Sequence, residues 1–233
     1  KLYKQLKDEY TLSVEDFNGK KILVIGSANT VIEDLKHIDT SDIDIVVKMN
    51  NGIHTSLNFL DKDSLRCDVL FHSFGNDTRP VTINSLNQAG VKSIVHRTLK
   101  RSSFLDTLIA EKKFADAVKV KIIPYEKYNS LAEKLGGYAP STGMVCVDFF
   151  INTPFSSLTI VGFTFFSTRY VPGYDDKITS DEAALSKVES AGHHSPSREA
   201  RLIYNIAKNA KDEGRNVYLS RSMQQAIDNF NVS

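Results

Sequence analysis

Short aliphatic and β-branched runs alternate along the chain with stretches whose apolar positions recur at helical spacing. Lys21–Gly26, Asp44–Met49, Cys67–Phe71, Val91–Val95, Val120–Pro124 and Ser157–Phe163 read as buried strands. Between them, Asn29–His37, Ser103–Ala117 and Glu126–Leu135 carry helical spacing. The last is stopped by Gly136-Gly137, and a further helix follows Pro140. Strands alternating with helices predict βαβ units, hence an α/β fold with a mostly parallel sheet flanked by helices. No internal repeat, low-complexity tract or Pro/Gly linker divides the chain, so residues 1–233 are expected to form a single domain. Thr164–Gly192 lacks strong periodicity and is the longest candidate loop. Long loops in compact domains are often functional lids.

Hydrophobic residues make up 41% of the 233 and charged residues 24%, which excludes global disorder. Lys+Arg number 29 and Asp+Glu 28, so no overall basic field marks a nucleic-acid protein, although a local basic face is compatible with that balance. Cys67 and Cys146 are too few for a disulfide scaffold and fall in apolar runs that read as core. No apolar stretch reaches the roughly 18 residues needed to span a bilayer. The amphipathic start, Lys1 to Lys7, lacks a secretory apolar block. The expectation is a soluble protein of a reducing, cytoplasmic compartment.

Three segments carry candidate chemistry. Val24-Ile25-Gly26-Ser27-Ala28-Asn29-Thr30 passes from strand through a glycine turn to a helix start, where backbone N–H groups favour an anion. Gly26 has no second glycine within five residues, so the G-x-G-x-x-G of nicotinamide-binding folds is absent, and a plain β–α turn is the alternative. Pro140-Ser141-Thr142-Gly143 precedes the apolar helix Met144–Phe150. Ser141 or Thr142 would cap that helix, and Gly143 lets a ligand approach the backbone. Two hydroxyls and N–H groups at one helix start suit a single phosphate held without metal; a simple N-cap is the alternative. In the third segment, Ser195 suits an N-cap and Pro196 the first helical position, which places His194 on a loop edge. A histidine there can take a proton near neutral pH. His193 and His194 lack the nearby Cys or third His that a zinc site needs; a surface pair with no role is the alternative.

Together these segments resemble the sialyltransferase family. Its large motif pairs a V-V-G-N-S-type turn with a downstream R-M-N, similar here to Leu23–Asn29 and Val47-Lys48-Met49-Asn50. Its small motif, P-S-T-G with an apolar helix and a strand ending in G-F, is similar to Pro140–Gly143 and Leu158–Phe163. Its very small motif, H-x-x-x-x-E, is matched by His194 and Glu199. The resemblance implies a single-domain, Rossmann-like fold, a variant of glycosyltransferase-A. It also implies inverting transfer from a CMP-activated sugar (sialic acid, Kdo or a pentose) with no metal or other cofactor. By that resemblance Gly26, Ser27, Asn29 and Asn50 line the nucleotide site. Ser141, Thr142 and Gly143 hold ribose and phosphate, His194 is the catalytic base, and Glu199 supports its segment. There are departures. Lys21 and Ile22 stand where the family's first disulfide cysteine would lie, and Lys48 replaces the arginine before M-N. The first turn reads Gly26-Ser27-Ala28-Asn29, and only Tyr170 and Tyr174 are candidates for the aromatic third motif. Without that disulfide and a membrane anchor, the resemblance implies a bacterial- or viral-type enzyme.

A rival reading starts from Ser41-Asp42-Ile43-Asp44-Ile45. Alternate strand residues share a face, so Asp42 and Asp44 with Asp68 resemble the magnesium-binding carboxylates of polymerase β-like nucleotidyltransferases. A metal-binding D-x-D of other glycosyltransferases and a solvated strand entry are further alternatives. For the acceptor, the basic residues between Lys92 and Lys121 predict either an ordinary solvated surface or a face for a phosphate-bearing partner. Such a partner would be lipopolysaccharide, capsule or hydroxymethylated DNA. His72 and Thr164–Tyr174 are the candidates for lining the acceptor side.

Overall fold

A computed structural model describes residues 1–57, 65–75 and 78–230. These form one sheet of parallel strands: β1 (Lys21–Ile25), β2 (Ile45–Met49), β3 (Val69–His72), β4 (Ser93–Arg97), β5 (Lys119–Ile123), β6 (Ser157–Val161) and β7 (Val217–Leu219). The order is β5-β4-β3-β2-β1-β6-β7. The chain builds outward from β1 to β5, then returns to lay β6 on the free side of β1. Loops leaving β1 and β6 therefore run in opposite directions and open a crevice at the carboxyl ends of the strands.

The helices are α1 (Leu2–Tyr10), α2 (Val31–Lys36), α3 (Ile83–Ala89), α4 (Phe104–Phe114), α5 (Tyr125–Lys134), α6 (Thr142–Ile151), α7 (Asp181–Ala191), α8 (Pro196–Asp212) and α9 (Arg221–Asn229). They cover both faces of the sheet. Because side chains alternate along a strand, Ile22 and Val24 join the core containing α6 and α8, whereas Leu23 and Ile25 join that of Val31 and Leu35. Helix α6 is apolar nearly all round, and Val145, Cys146, Val147 and Phe150 are buried. Ala200, Ile203, Ala207 and Ala210 form the buried stripe of α8 in the same core, three of them small enough for close approach.

The predicted strands and the helices preceding β6 are present, with edges moved by a few residues. The first helix begins at Val31 rather than Asn29, because the Asn29 amide bonds the Arg169 carbonyl across the crevice. Thr164–Gly192, read as loop, contains α7. Ser180 caps it through the Ala183 amide, Gly192 ends it in the left-handed region, and Ala184 and Val188 are its buried residues. Two small apolar side chains one turn apart make a weak periodic signal. Cys67 and Cys146 are buried free thiols, and burial pushes both upward, Cys67 to about 12. No helix among the described residues is long and apolar enough to cross a membrane.

At the crevice, β1 and β6 meet through Gly26 and Gly162. A Cβ on Gly26 would fall 2.2 Å from the Gly162 oxygen and 2.7 Å from the Phe163 ring. Gly26→Ala is thus expected to cost about 3 kcal/mol through overpacking against backbone. Urea denaturation measures this, and an unchanged midpoint would show that the strand ends separate without penalty.

Candidate active site

The crevice holds about 1010 Å³ of empty space, its solvent mouth included. Ser27 and Ala28 after β1, Asn50 after β2, Ser141–Gly143 at the start of α6, Phe163–Phe166 after β6 and His194 before α8 contribute to its walls. Segments more than 160 residues apart in sequence thus meet in one cleft.

The start of α6 is held by its neighbours in a way that leaves part of it open. Ser141 Oγ accepts from the Met144 amide at 3.0 Å. The Ser141 N–H donates to Glu199 Oε1 and its hydroxyl to Glu199 Oε2, both at 2.7 Å. From the other side Arg97 Nη1 donates to the Pro140 carbonyl at 2.9 Å. The amides of Thr142 and Gly143, the first two of the helix, have no acceptor among the described residues. Both residues line the cleft. Two open N–H groups at the positive end of a helix dipole are able to hold an anion. The Ser141 hydroxyl is already engaged twice, so it positions this site rather than meeting a ligand. Thr142 Oγ1 accepts from Asn50 Nδ2 at 3.3 Å, and Asn50 Oδ1 accepts from the Ser73 amide at 3.0 Å. Asn50, with φ of 47°, therefore ties the ends of β2 and β3 to α6.

His194 lines the same cleft as these amides. Its Nδ1 lies 2.6 Å from the Ala139 carbonyl, which can only accept, so Nδ1 carries a proton and Nε2 is the basic nitrogen of the neutral ring. The Ala139 amide donates back to the His193 carbonyl at 2.9 Å. Phe166 stacks on the imidazole with ring centroids 5.9 Å apart and planes 9° apart. Phe165 and Phe166 both have positive φ, 52° and 63°, a backbone state that side-chain-bearing residues rarely take and that concentrates at functional sites.

Not every expected residue reaches the cleft. Gly26 lies behind its wall, packed on Gly162. Asn29 is not among the lining residues. The first turn is no anion cradle, because the Gly26, Ala28 and Asn29 amides bond the Val161, Gly162 and Arg169 carbonyls. His72 is buried beside Phe74 and lines a separate groove; its Nδ1 accepts from the Phe74 amide. Tyr170 and Tyr174 do line the cleft, ring on ring at 5.1 Å. His193 is exposed, with no metal-ligand cluster around it among the described residues. Lys48 is fully buried, its Nζ on the Thr55 and Leu65 carbonyls; burial pushes it down to about 8, and it braces the fold beneath the cleft.

The rival carboxylates fail on position. Asp42 and Asp44 precede β2 and Asp68 precedes β3, at the amino ends of the strands, opposite the cleft. Asp42 pairs with Lys21 Nζ and Asp44 accepts from the Lys21 amide. Asp68 is engaged by the Val46 amide, Arg66 and Lys92. The basic run does not make one face either. Lys92 and Lys119 lie at the amino ends of the strands, whereas Lys100 and Arg101 lie beyond the carboxyl end of β4. Arg97, counted in that run, instead lines the cleft. The sequence places Arg97 only among the basic residues, whereas Phe166 falls within Thr164–Tyr174, the segment expected to line the acceptor side, and both line the cleft.

No protein-family model matches the chain, and no curated protein does. Among solved structures, the fold is similar to a mammalian sialyltransferase in complex with Gal-beta-1-3GalNAc-ortho-nitrophenol, with a TM-score of 0.50 and 13% identity over 87% of this chain and 70% of that one. A second mammalian sialyltransferase structure aligns with a TM-score of 0.48 and 16% identity over the same shares. At these identities the likeness concerns the fold, an α/β architecture of sialyltransferase type.

Burial lifts the Glu199 carboxyl to about 7, against the opposing pull of the Ser141 donors and of Arg97. In the folded chain it keeps its proton up to that pH; unfolded, it loses it near 4.5. The folded state therefore binds more protons between those values, and stability falls as pH rises across the window. Glu199→Gln is neutral throughout and should remove that slope. Denaturant titrations at several pH values compare the two proteins, and parallel pH profiles would show that Glu199 is ionised across the whole range.

Proposed function

We propose that this chain is an inverting glycosyltransferase that moves a sugar from a CMP-activated donor to a hydroxyl of a glycan acceptor. The observation that carries the reading is the pairing in one cleft of two open helix amides with an imidazole whose lone pair is placed on Nε2. The sialyltransferase-type fold supports a nucleotide-sugar donor.

In this reaction the acceptor oxygen attacks the anomeric carbon from the face opposite the nucleotide. The new C–O bond forms as the bond to the CMP phosphate oxygen breaks, which inverts the centre. His194 Nε2 takes the hydroxyl proton, and the Nδ1–H bond to Ala139 stabilises the imidazolium that results. The leaving CMP carries a single phosphate, so the charge that develops is smaller than with a diphosphate. The Thr142 and Gly143 amides, the α6 dipole and the nearby Arg97 are the groups that stabilise it, in the role a cation plays elsewhere. Ser27 and Asn50 lie on the nucleotide side of the cleft. Glu199 and Ser141 are positioning residues.

The aromatic wall of Phe166, Tyr170 and Tyr174 suits the flat faces of sugar rings. The scattered basic residues favour a glycan acceptor, such as lipopolysaccharide or capsule, over DNA. A cytoplasmic location, which the buried free thiols suit, is part of the same proposal.

His194→Ala is expected to lower turnover by about 10²–10⁴-fold while CMP affinity stays within about twofold. Equal rates for the two proteins with a saturating CMP-sugar would reject the base. CMP-sialic acid, CMP-Kdo and a CMP-pentose, offered in turn, identify the sugar. Thr142→Val removes the acceptor of the Asn50 amide and should weaken CMP about five- to tenfold by calorimetry. A thermal-shift series over CMP, UDP, GDP, ATP and NAD should show the largest rise with CMP. A larger rise with any other nucleotide would overturn the donor assignment.

A further inference from the structure

We propose that the surface formed by the start of α1, residues 99–102 and the outer side of α4 docks on an anionic lipid bilayer. Four large apolar side chains stand in solvent there: Leu2 at 51% exposure, Leu99 at 39%, Leu105 at 57% and Ile109 at 66%. Single exposed leucines need no explanation, but Leu2, Leu105 and Ile109 are neighbours, and Leu99 lies in the segment that leads into them. Leu2, Lys4, Arg101, Ser102 and Leu105 line one shallow groove. Ile109 follows Leu105 by one helical turn, on the same face of α4.

Cations frame this apolar strip. Lys4, Lys100, Arg101 and Lys112 are exposed around it. The acids nearby are Asp106 on α4 and Glu126, which pairs with Arg101 at 3.6 Å and accepts from the Tyr3 hydroxyl. The balance at the strip is therefore positive although the whole chain is close to neutral.

The chemistry selects the partner. Aliphatic tips ringed by long basic side chains match the headgroup boundary of a bilayer, where the tips enter the acyl region and the ammonium groups meet lipid phosphates. Protein interfaces favour aromatic side chains, whereas the exposed apolar residues of this strip are all aliphatic, which argues against a protein partner. Nucleic acid would use the cations and leave the leucines in water. The strip begins two residues past Arg97, the last residue of β4 and part of the cleft wall. From there it runs back along α4 toward the amino end of β5, so docking lays the α4 side of the sheet on the membrane with one end of the strip beside the cleft. This inference does not depend on the reaction proposed above.

The test is co-sedimentation of the full chain with vesicles of phosphatidylcholine alone, or with phosphatidylglycerol as about a third of the lipid. The chain should pellet with the mixed vesicles, not with the neutral ones, and binding should weaken as salt rises. Leu105→Ser with Ile109→Ser should lower partitioning by about tenfold or more. Lys100→Ser with Lys112→Ser should lower it by about tenfold. All four side chains are exposed, and melting temperatures equal to that of the parent verify folding. Absence of pelleting, or pelleting unchanged in both variants, would overturn the proposal. So would retention of a DNA duplex that is indifferent to the leucine and isoleucine changes, or a dimer that those changes dissolve in the absence of vesicle binding.

Discussion

The bond between the Glu199 carboxyl and Ser141 is the constraint on which the cleft depends. Glu199 belongs to the first turn of α8 and takes both donors of the residue that caps α6. Arg97 holds the preceding carbonyl from β4. Between them they fix the start of α6 so that its first two amides stay without internal acceptors. The same helix start carries His194, five residues before Glu199, into the wall of the same cleft. A buried carboxyl is a costly anchor, and the rise of Glu199 to about 7 is the trace of that cost.

The parallel sheet supplies the location. Where the strand order reverses between β1 and β6, the backbone of one turn is used up in holding the other. The Gly26 and Ala28 amides close on Val161 and Gly162, and the glycine pair lets the two chains touch. This contact uses up the Gly26 and Ala28 amides, while Ser27 still lines the cleft and the open helix amides there are those of α6. Left-handed Phe165 and Phe166 then bend the chain after β6 so that an aromatic ring covers the imidazole. Strain of that kind persists only where surrounding contacts over-determine it.

The surface repeats the lesson in electrostatic form. A basic run that is continuous in sequence is divided in space, because β4 and β5 carry its members to opposite ends of the sheet. Lys92 neutralises Asp68 at one end. At the other end Arg97 turns inward to the cleft and Lys100 remains in solvent beside exposed Leu99, while Lys112 stays exposed along α4 after Ile109. Charge that looks uniform along the chain thus performs three different tasks.

What the chain determined by local chemistry alone was the alternation of strands and helices, the Ser141 cap, the Pro196 helix start and the histidine beside it. These rest on interactions between residues a few positions apart, and periodicity or capping records such interactions directly. The short strand β7 and the helix α7 were less legible, because their apolar signal is brief and becomes decisive only against the sheet. Which cap stays open, which amides are already bonded and which arginine faces the cleft were decided by tertiary structure. Each depends on hydrogen bonds between distant segments, such as Ser141 to Glu199 or Asn29 to Arg169. A donor's partner across the sheet leaves no periodicity in sequence, so only the folded chain discloses which polar groups remain available to a ligand.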